Sequence, residues 1–136
     1  MAKITKINHV GIAVSDLDGS MSFWQDALGL KLHHVEEVVR QKSKVAFFPA
    51  GESDVELVVA TTEDATIAKF IAEKGQGIHH LCLETDDIEG MLADLKAKGV
   101  RLINETPLVE PGRKMAFVHP KSTNGVLLEL YEVVKE

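Results

Sequence analysis

The sequence predicts an α+β fold of two β-α-β-β-β modules, forming a half-open, mixed-sheet barrel around a metal site. Three observations carry that expectation. The chain repeats itself: HVGIAVSDLDGSM from His9 aligns with HLCLETDDIEGML from His80, VAFF from Val45 with MAFV from Met115, and VEL from Val55 with LEL from Leu128. Each repeat alternates apolar and other residues with the period of a strand. Four potential metal ligands fall at repeated positions, His9 matching His80 and Glu56 matching Glu129.

In order, the first module (about 4–60) opens with a strand over Ile4–Val14. Ser15 or Asp16 then caps a helix reaching about Leu28, which Gly29 ends. Strands follow at Leu30–Val35, at Val45–Phe48, stopped by Pro49, Ala50 and Gly51, and at Val55–Ala60. A linker (about 61–76) holds a connecting helix over Thr61–Lys74, with Ala65, Ala68, Ile71 and Ala72 on a weak apolar face. The second module (about 77–133) repeats the order. It has a strand at Ile78–Thr85, a helix from about Asp87 to Lys98, and strands at Val100–Asn104, near Lys114–Val118 and at Val126–Val133. The stretch Glu105–Gly112, with two prolines, reads as the longest loop.

A length of 136 residues suits a single domain, 1–136. No apolar run is long enough to span a bilayer, and the N-terminus reads straight into a strand rather than a secretory signal. One cysteine, Cys82, excludes an internal disulfide and fits a reducing compartment, so a cytoplasmic location is expected. The formal net charge of −6 argues against general nucleic-acid binding. Two local basic clusters, Arg40, Lys42 and Lys44, and Arg113, Lys114 and Lys121, still offer contacts for a polyanionic small ligand.

Strand parity places the candidate ligands. Val10, Ile12 and Val14 face the helix, which leaves His9, Gly11 and Ala13 on the other side. In the fifth strand His79, Leu81 and Leu83 face the helix, whereas His80 and Cys82 point away. Glu56 and Glu129 alternate with valine and leucine and also point away. A carboxylate on an enclosed face is costly unless paired or coordinated. Two imidazoles and two carboxylates suit one divalent ion per chain, Co, Mn, Ni, Fe or Zn, without choosing among them. His33, His34, His79 and His119 are expected to be structural or surface residues. Glu84 shares the parity of His80, but at ~3.3 Å per residue it lies about 13 Å along the strand.

With these residues in place, the chain resembles the vicinal oxygen chelate (glyoxalase) superfamily, and within it the methylmalonyl-CoA epimerases. INHVGIAVSDLD, GIHHLCLETDDIEGMLADLKAKGVRLINE and FVHPKSTNGVLLEL carry the resemblance, which covers nearly the whole chain. His119-Pro120-Lys121 stands where glyoxalase I usually has an Asp-Pro-Asp-Gly-type turn. The resemblance puts His9, Glu56, His80 and Glu129 on metal-ligand positions, with Gln an accepted alternative at Glu56. Certain members carry a proposed catalytic glutamate where this chain has Val45, and others have valine there. The segment Val109–Arg113 is shorter than the family's glycine-rich loop.

The resemblance implies epimerisation of methylmalonyl-CoA at C2 through an enolate, with an acyl-CoA substrate whose phosphates meet the basic clusters. Glu129 is then both a ligand and the catalytic base candidate, and the second base is unassigned. A glyoxalase I-type lyase and a metal-free binding module of the same fold are the alternatives. Neither nucleic acid nor membrane is expected as a partner. A homodimer is, because sheet edges and a modest core invite pairing.

Parity makes a sharp forecast. His80→Ala abolishes stoichiometric divalent metal, measured by elemental analysis, and His79→Ala keeps it. Equal loss in the two variants would contradict the assignment of faces.

Overall fold

The computed structural model describes residues 1–135; Glu136, the last residue of the expected domain, lies outside them. The chain forms two compact units, one of residues His9–His79 and one of Met1–Asn8 with the chain from His80 onward. Strand β1, Ile4–Ala13, contributes its first half to the latter unit and its second half to the former.

In the unit His9–His79, β1 is joined by β2 (His34–Val38), β3 (Ser43–Ala50) and β4 (Ser53–Ala60) in the order β2-β3-β4-β1. The β1–β4 pairing is parallel and the other two are antiparallel. Helix α1, Leu17–Met21, continues as a π-helical segment, Ser22–Ala27, whose wider turn shows in the bond from the Leu28 N–H to the Phe23 carbonyl at 2.8 Å. Leu17, Met21 and Trp24 pack on Ile12, Val14, Ala46, Phe48 and Leu57. Phe48 and Leu57 are fully buried, each contributing roughly 1.5–3 kcal/mol through lost water contact.

The opposite sheet face has its own cover. Helix α2, Thr66–Lys74, sets Ile67, Phe70 and Ile71 against Ala13, Val45 and Val58. The sequence places a connecting helix here from Thr61; it starts five residues later, after a turn held by the Thr62–Asp64 and Lys42–Asp64 side-chain bonds.

In the other unit, β5 (Gly77–Thr85), β6 (Leu108–Glu110), β7 (Arg113–Val118) and β8 (Leu128–Val133) run in the order β5-β8-β7-β6. The β5–β8 pairing is parallel and the rest antiparallel. The first half of β1 lies beside β5, where Thr5 Oγ1 donates to the Glu84 carbonyl (3.2 Å) and Thr85 Oγ1 to the Lys3 carbonyl (2.8 Å). Helix α3, Ile88–Ala97, buries Ile88 and Leu92 against Ala116, Val118 and Leu130.

The structure corrects the expected elements at three places. The strand expected at Leu30–Val35 is displaced: Leu30 packs under the α1 segment, and of that stretch only His34 and Val35 lie in β2. Val100–Asn104 makes only one bridge, Leu102 to Val118, because Val100 and Leu102 turn into the α3 core. The edge strand instead lies at Leu108–Glu110, inside the stretch read as a loop. Its prolines stand at either side, Pro107 before it and Pro111 in the turn, so neither removes a donor from the ladder. Pro111 and Gly112 close a two-residue hairpin between Glu110 and Arg113, with Gly112 at φ 78°.

The two repeat-equivalent helix caps differ. The Asp87 carboxylate accepts from the Gly90 N–H at 3.0 Å, whereas Asp16 makes no side-chain cap bond. Asp87→Ala should therefore cost about 1 kcal/mol in urea unfolding, and Asp16→Ala only a few tenths. Equal losses would mean the Asp87 bond contributes nothing beyond position.

Candidate functional site

In the unit His9–His79, β1 and β4 present one histidine–carboxylate pair. Glu56 lies opposite Gly11 on the parallel neighbour, and His9 is two residues back on the same face. Nδ1 of His9 is 3.1 Å from Oε2 of Glu56. Both residues are more than nine-tenths buried, His9 at 5% and Glu56 at 8% exposure. Gly11 offers no side chain beside the carboxylate, and Phe47 flanks it across the antiparallel β3–β4 pair.

The other unit repeats the construction on β5 and β8. Glu129 lies opposite Cys82, His80 is two residues back, and Phe117 flanks the carboxylate across β7–β8. Nε2 of His80 is 3.5 Å from Oε1 of Glu129, which is 6% exposed. The His80 ring stands edge-on to Phe117 at 6.5 Å. Each of the four sequence-selected residues thus sits on the strand and face expected, in two pairs. A ring nitrogen beside a shielded carboxylate is a donor set for a divalent cation.

Three residues near Glu129 escaped the sequence reading. Cys82, read for redox compartment and strand face but not as a site residue, is fully buried, with its sulfur within 4.8 Å of a Glu129 carboxylate oxygen. Arg113, read as one of a basic cluster offered to a polyanionic ligand, donates from Nε and Nη2 to Oε2 of Glu110 at 2.9 and 2.6 Å. Tyr131 is close enough for its phenol and the Arg113 charge to influence each other. Burial opposes the Arg113 charge, but the bonds to Glu110 and the nearby Tyr131 outweigh it and raise the guanidinium above its ordinary value. Burial pushes the Tyr131 phenol up, against the pull of Arg113. The register of β7 on β8 was the signal that could have found this group, since it sets Met115 opposite Tyr131 and Phe117 opposite Glu129.

The remaining histidines are structural or exposed, as expected. His79 stands edge-on to Phe70 at 4.8 Å. His34 stacks on Phe47 at 4.3 Å, with its Nδ1 2.6 Å from that of His33. His119 accepts from the Lys121 N–H, and burial, then Arg101 and Lys121, hold its imidazole below its ordinary value. Oε1 of Glu84 accepts from Asn8 Nδ2 at 3.0 Å. The basic clusters are less available than composition implies. Lys42 is paired with Asp64, Arg113 with Glu110, and Lys114 with Glu89.

Residues 8–117 match the model of the Glyoxalase/Bleomycin resistance protein/Dioxygenase superfamily. The chain belongs to that superfamily. A Bacillus subtilis relative, the uncharacterized protein YqjC, is 39% identical, covering 95% of this chain and 93% of its own. The mitochondrial methylmalonyl-CoA epimerase of Mus musculus is 36% identical, covering 94% of this chain and 73% of its own. A variant of Streptomyces coelicolor methylmalonyl-CoA epimerase, solved in complex with 2-nitronate-propionyl-CoA, superposes with a TM-score of 0.88 at 32% identity, covering 97% of this chain and 96% of that one. Within the superfamily the chain groups with these isomerase-class enzymes.

Proposed function

We propose that this protein epimerises methylmalonyl-CoA at C2, with one divalent ion per chain held by His9, Glu56, His80 and Glu129. The observation that carries the reading is the repeated burial of a carboxylate beside an imidazole, Glu56 with His9 and Glu129 with His80. Packing alone gives little reason to bury two carboxylates at equivalent positions, because each loses its hydration. The relatives that carry methylmalonyl-CoA epimerase in their names favour this reaction over a glyoxalase I-type lyase. The complete donor set disfavours a metal-free binding module.

Bound to these residues, a divalent ion would neutralise the negative charge that gathers on the thioester and carboxylate oxygens of the acyl group. The chain does the rest. The C2 hydrogen lies between a thioester and a carboxylate, so its removal leaves an enolate. Glu129 is the base for that step, placed on the face where the acyl group would sit and kept from water. The apolar neighbours Phe117 and Met115, on the same face of β7, restrict solvent around the enolate. A second acid, not assigned to a residue of this chain, delivers a proton to the opposite side and so inverts C2. We place the enzyme in the cytoplasm, as a homodimer, with acyl-CoA as its partner.

Two conservative variants separate holding a metal from moving a proton. Glu129→Gln keeps substantial metal, since an amide oxygen still coordinates, but loses C2 proton exchange by roughly 10² or more, the usual scale for a general base. Glu56→Gln keeps both metal and most exchange. The readouts are elemental analysis and deuterium incorporation followed by mass spectrometry. Near-parental exchange in Glu129→Gln would reduce Glu129 to a ligand and send the search for the base elsewhere.

A further inference from the structure

Ion pairs take up much of the positive charge of this chain: Lys42 with Asp64, Lys96 with Glu105, Arg113 with Glu110 and Lys114 with Glu89. Arg101 and Lys121 differ. Both are exposed, and among the described residues neither meets a carboxylate. With 21 acidic against 15 basic side chains, the sequence has carboxylates enough to pair every cation, so two that stand together without one call for a cause.

Backbone pairing brings them together. Leu102 bridges Val118 in antiparallel fashion, the Ile103 N–H donates to the Phe117 carbonyl at 2.9 Å, and the His119 N–H donates to the Arg101 carbonyl at 2.9 Å. Arg101 therefore lies across from His119, as Ile103 does from Phe117. Leu102 and Val118 turn into the α3 core, so Arg101 and His119 are on the opposite face, which is that of Phe117 and Glu129. His119 is two residues past Phe117, about 7 Å along the strand. Lys121 is tied to the same group, because its N–H donates to Nδ1 of His119 at 3.0 Å. The turn is held from both sides: the Arg101 N–H donates to the Ser122 hydroxyl at 2.9 Å, and the Gly125 N–H to the Pro120 carbonyl at 2.9 Å. Both cations are near enough to His119 for their charges, after burial, to help hold its imidazole below the ordinary value.

We propose that Arg101 and Lys121, spaced by His119 at the rim of the Glu129 face, hold the phosphates of the acyl-CoA substrate. The inference rests on the epimerase reading and adds to it the residues that anchor the CoA half. The pantetheine arm separates the phosphates from the reacting thioester, so their site must share a face with Glu129 yet stand apart from it, as this pair does. A guanidinium and an ammonium side by side match an anion with several charged oxygens. Their exposure suits a ligand group that stays in contact with water.

Exchange at C2 is compared for methylmalonyl-CoA and methylmalonyl-pantetheine, which keeps the acyl thioester and lacks every phosphate. The double variant Arg101→Gln/Lys121→Gln should raise the KM for methylmalonyl-CoA about tenfold or more, the scale of lost contacts to a charged group. Its kcat, and its kcat/KM for methylmalonyl-pantetheine, should stay within about twofold of the parent. The gap in KM between variant and parent should narrow as salt is raised. Lys96→Gln removes a cation of the same unit that Glu105 already pairs, and should change neither substrate by more than about twofold. Calorimetric titration with CoA alone separates this inference from the reading beneath it. The double variant should bind CoA about tenfold more weakly than the parent. That loss in a protein showing no C2 exchange would keep the phosphate site and remove the epimerase reading. Parental KM and CoA affinity in the double variant, an equal loss with methylmalonyl-pantetheine, or no CoA binding by the parent overturns the proposal and leaves Arg101 and Lys121 as solvated surface.

Discussion

A carboxylate kept from water on the face of a β-sheet is the constraint that the rest of this molecule serves. Glu56 and Glu129 are each under one-tenth exposed, and each lies beside an imidazole at 3.1 or 3.5 Å. Such a group needs a counter-charge or a coordinated ion, and the surrounding register must hold it in one place. Parallel pairing does this in both units. It sets Glu56 beside Gly11 and Glu129 beside Cys82, with the histidine two residues earlier on the same strand. A one-residue slip in either pairing would turn the carboxylate into the helix-side core and dismantle the pair.

Around that shared device the repeats have specialised. Phe47 and Phe117 hold equivalent places beside the two carboxylates, so the immediate walls are the same. One step further the units part. Helix α2 covers Ala13, Val45 and Val58, whereas the matching positions of the other unit include the Tyr131 phenol, near the Arg113–Glu110 ion pair. The divergence is thus apolar closure in one unit and a polar, partly buried group in the other.

How far the sequence could be read follows from this division. The strands bearing His9, Glu56, His80 and Glu129 were legible, because alternation with buried Val, Ile and Leu fixes the face of every residue between. The edge strand Leu108–Glu110 was not: its three residues sit between two prolines, and its ladder partners are known only once β7 is placed. The stretch Val100–Asn104 has the composition of a strand, but Val100 and Leu102 gain more by filling the α3 core. The role of α2 was hidden for a similar reason, since its weak apolar face does not say which sheet face it covers. Arg113 and Tyr131 are brought near each other only by the β7–β8 register, so the sequence records one member of a basic cluster and one isolated aromatic.

The account stands on proton removal at C2 by a metal-loaded protein. The direct measurement is deuterium incorporation at C2 of methylmalonyl-CoA in heavy water, with the protein as purified, after chelation, and after return of a divalent ion. The account predicts rapid exchange, a fall of roughly 10² or more on chelation, and recovery with metal, the scale expected when charge stabilisation at the reacting oxygens is lost. No exchange by the metal-loaded protein, or undiminished exchange by protein shown to be free of metal, would contradict it.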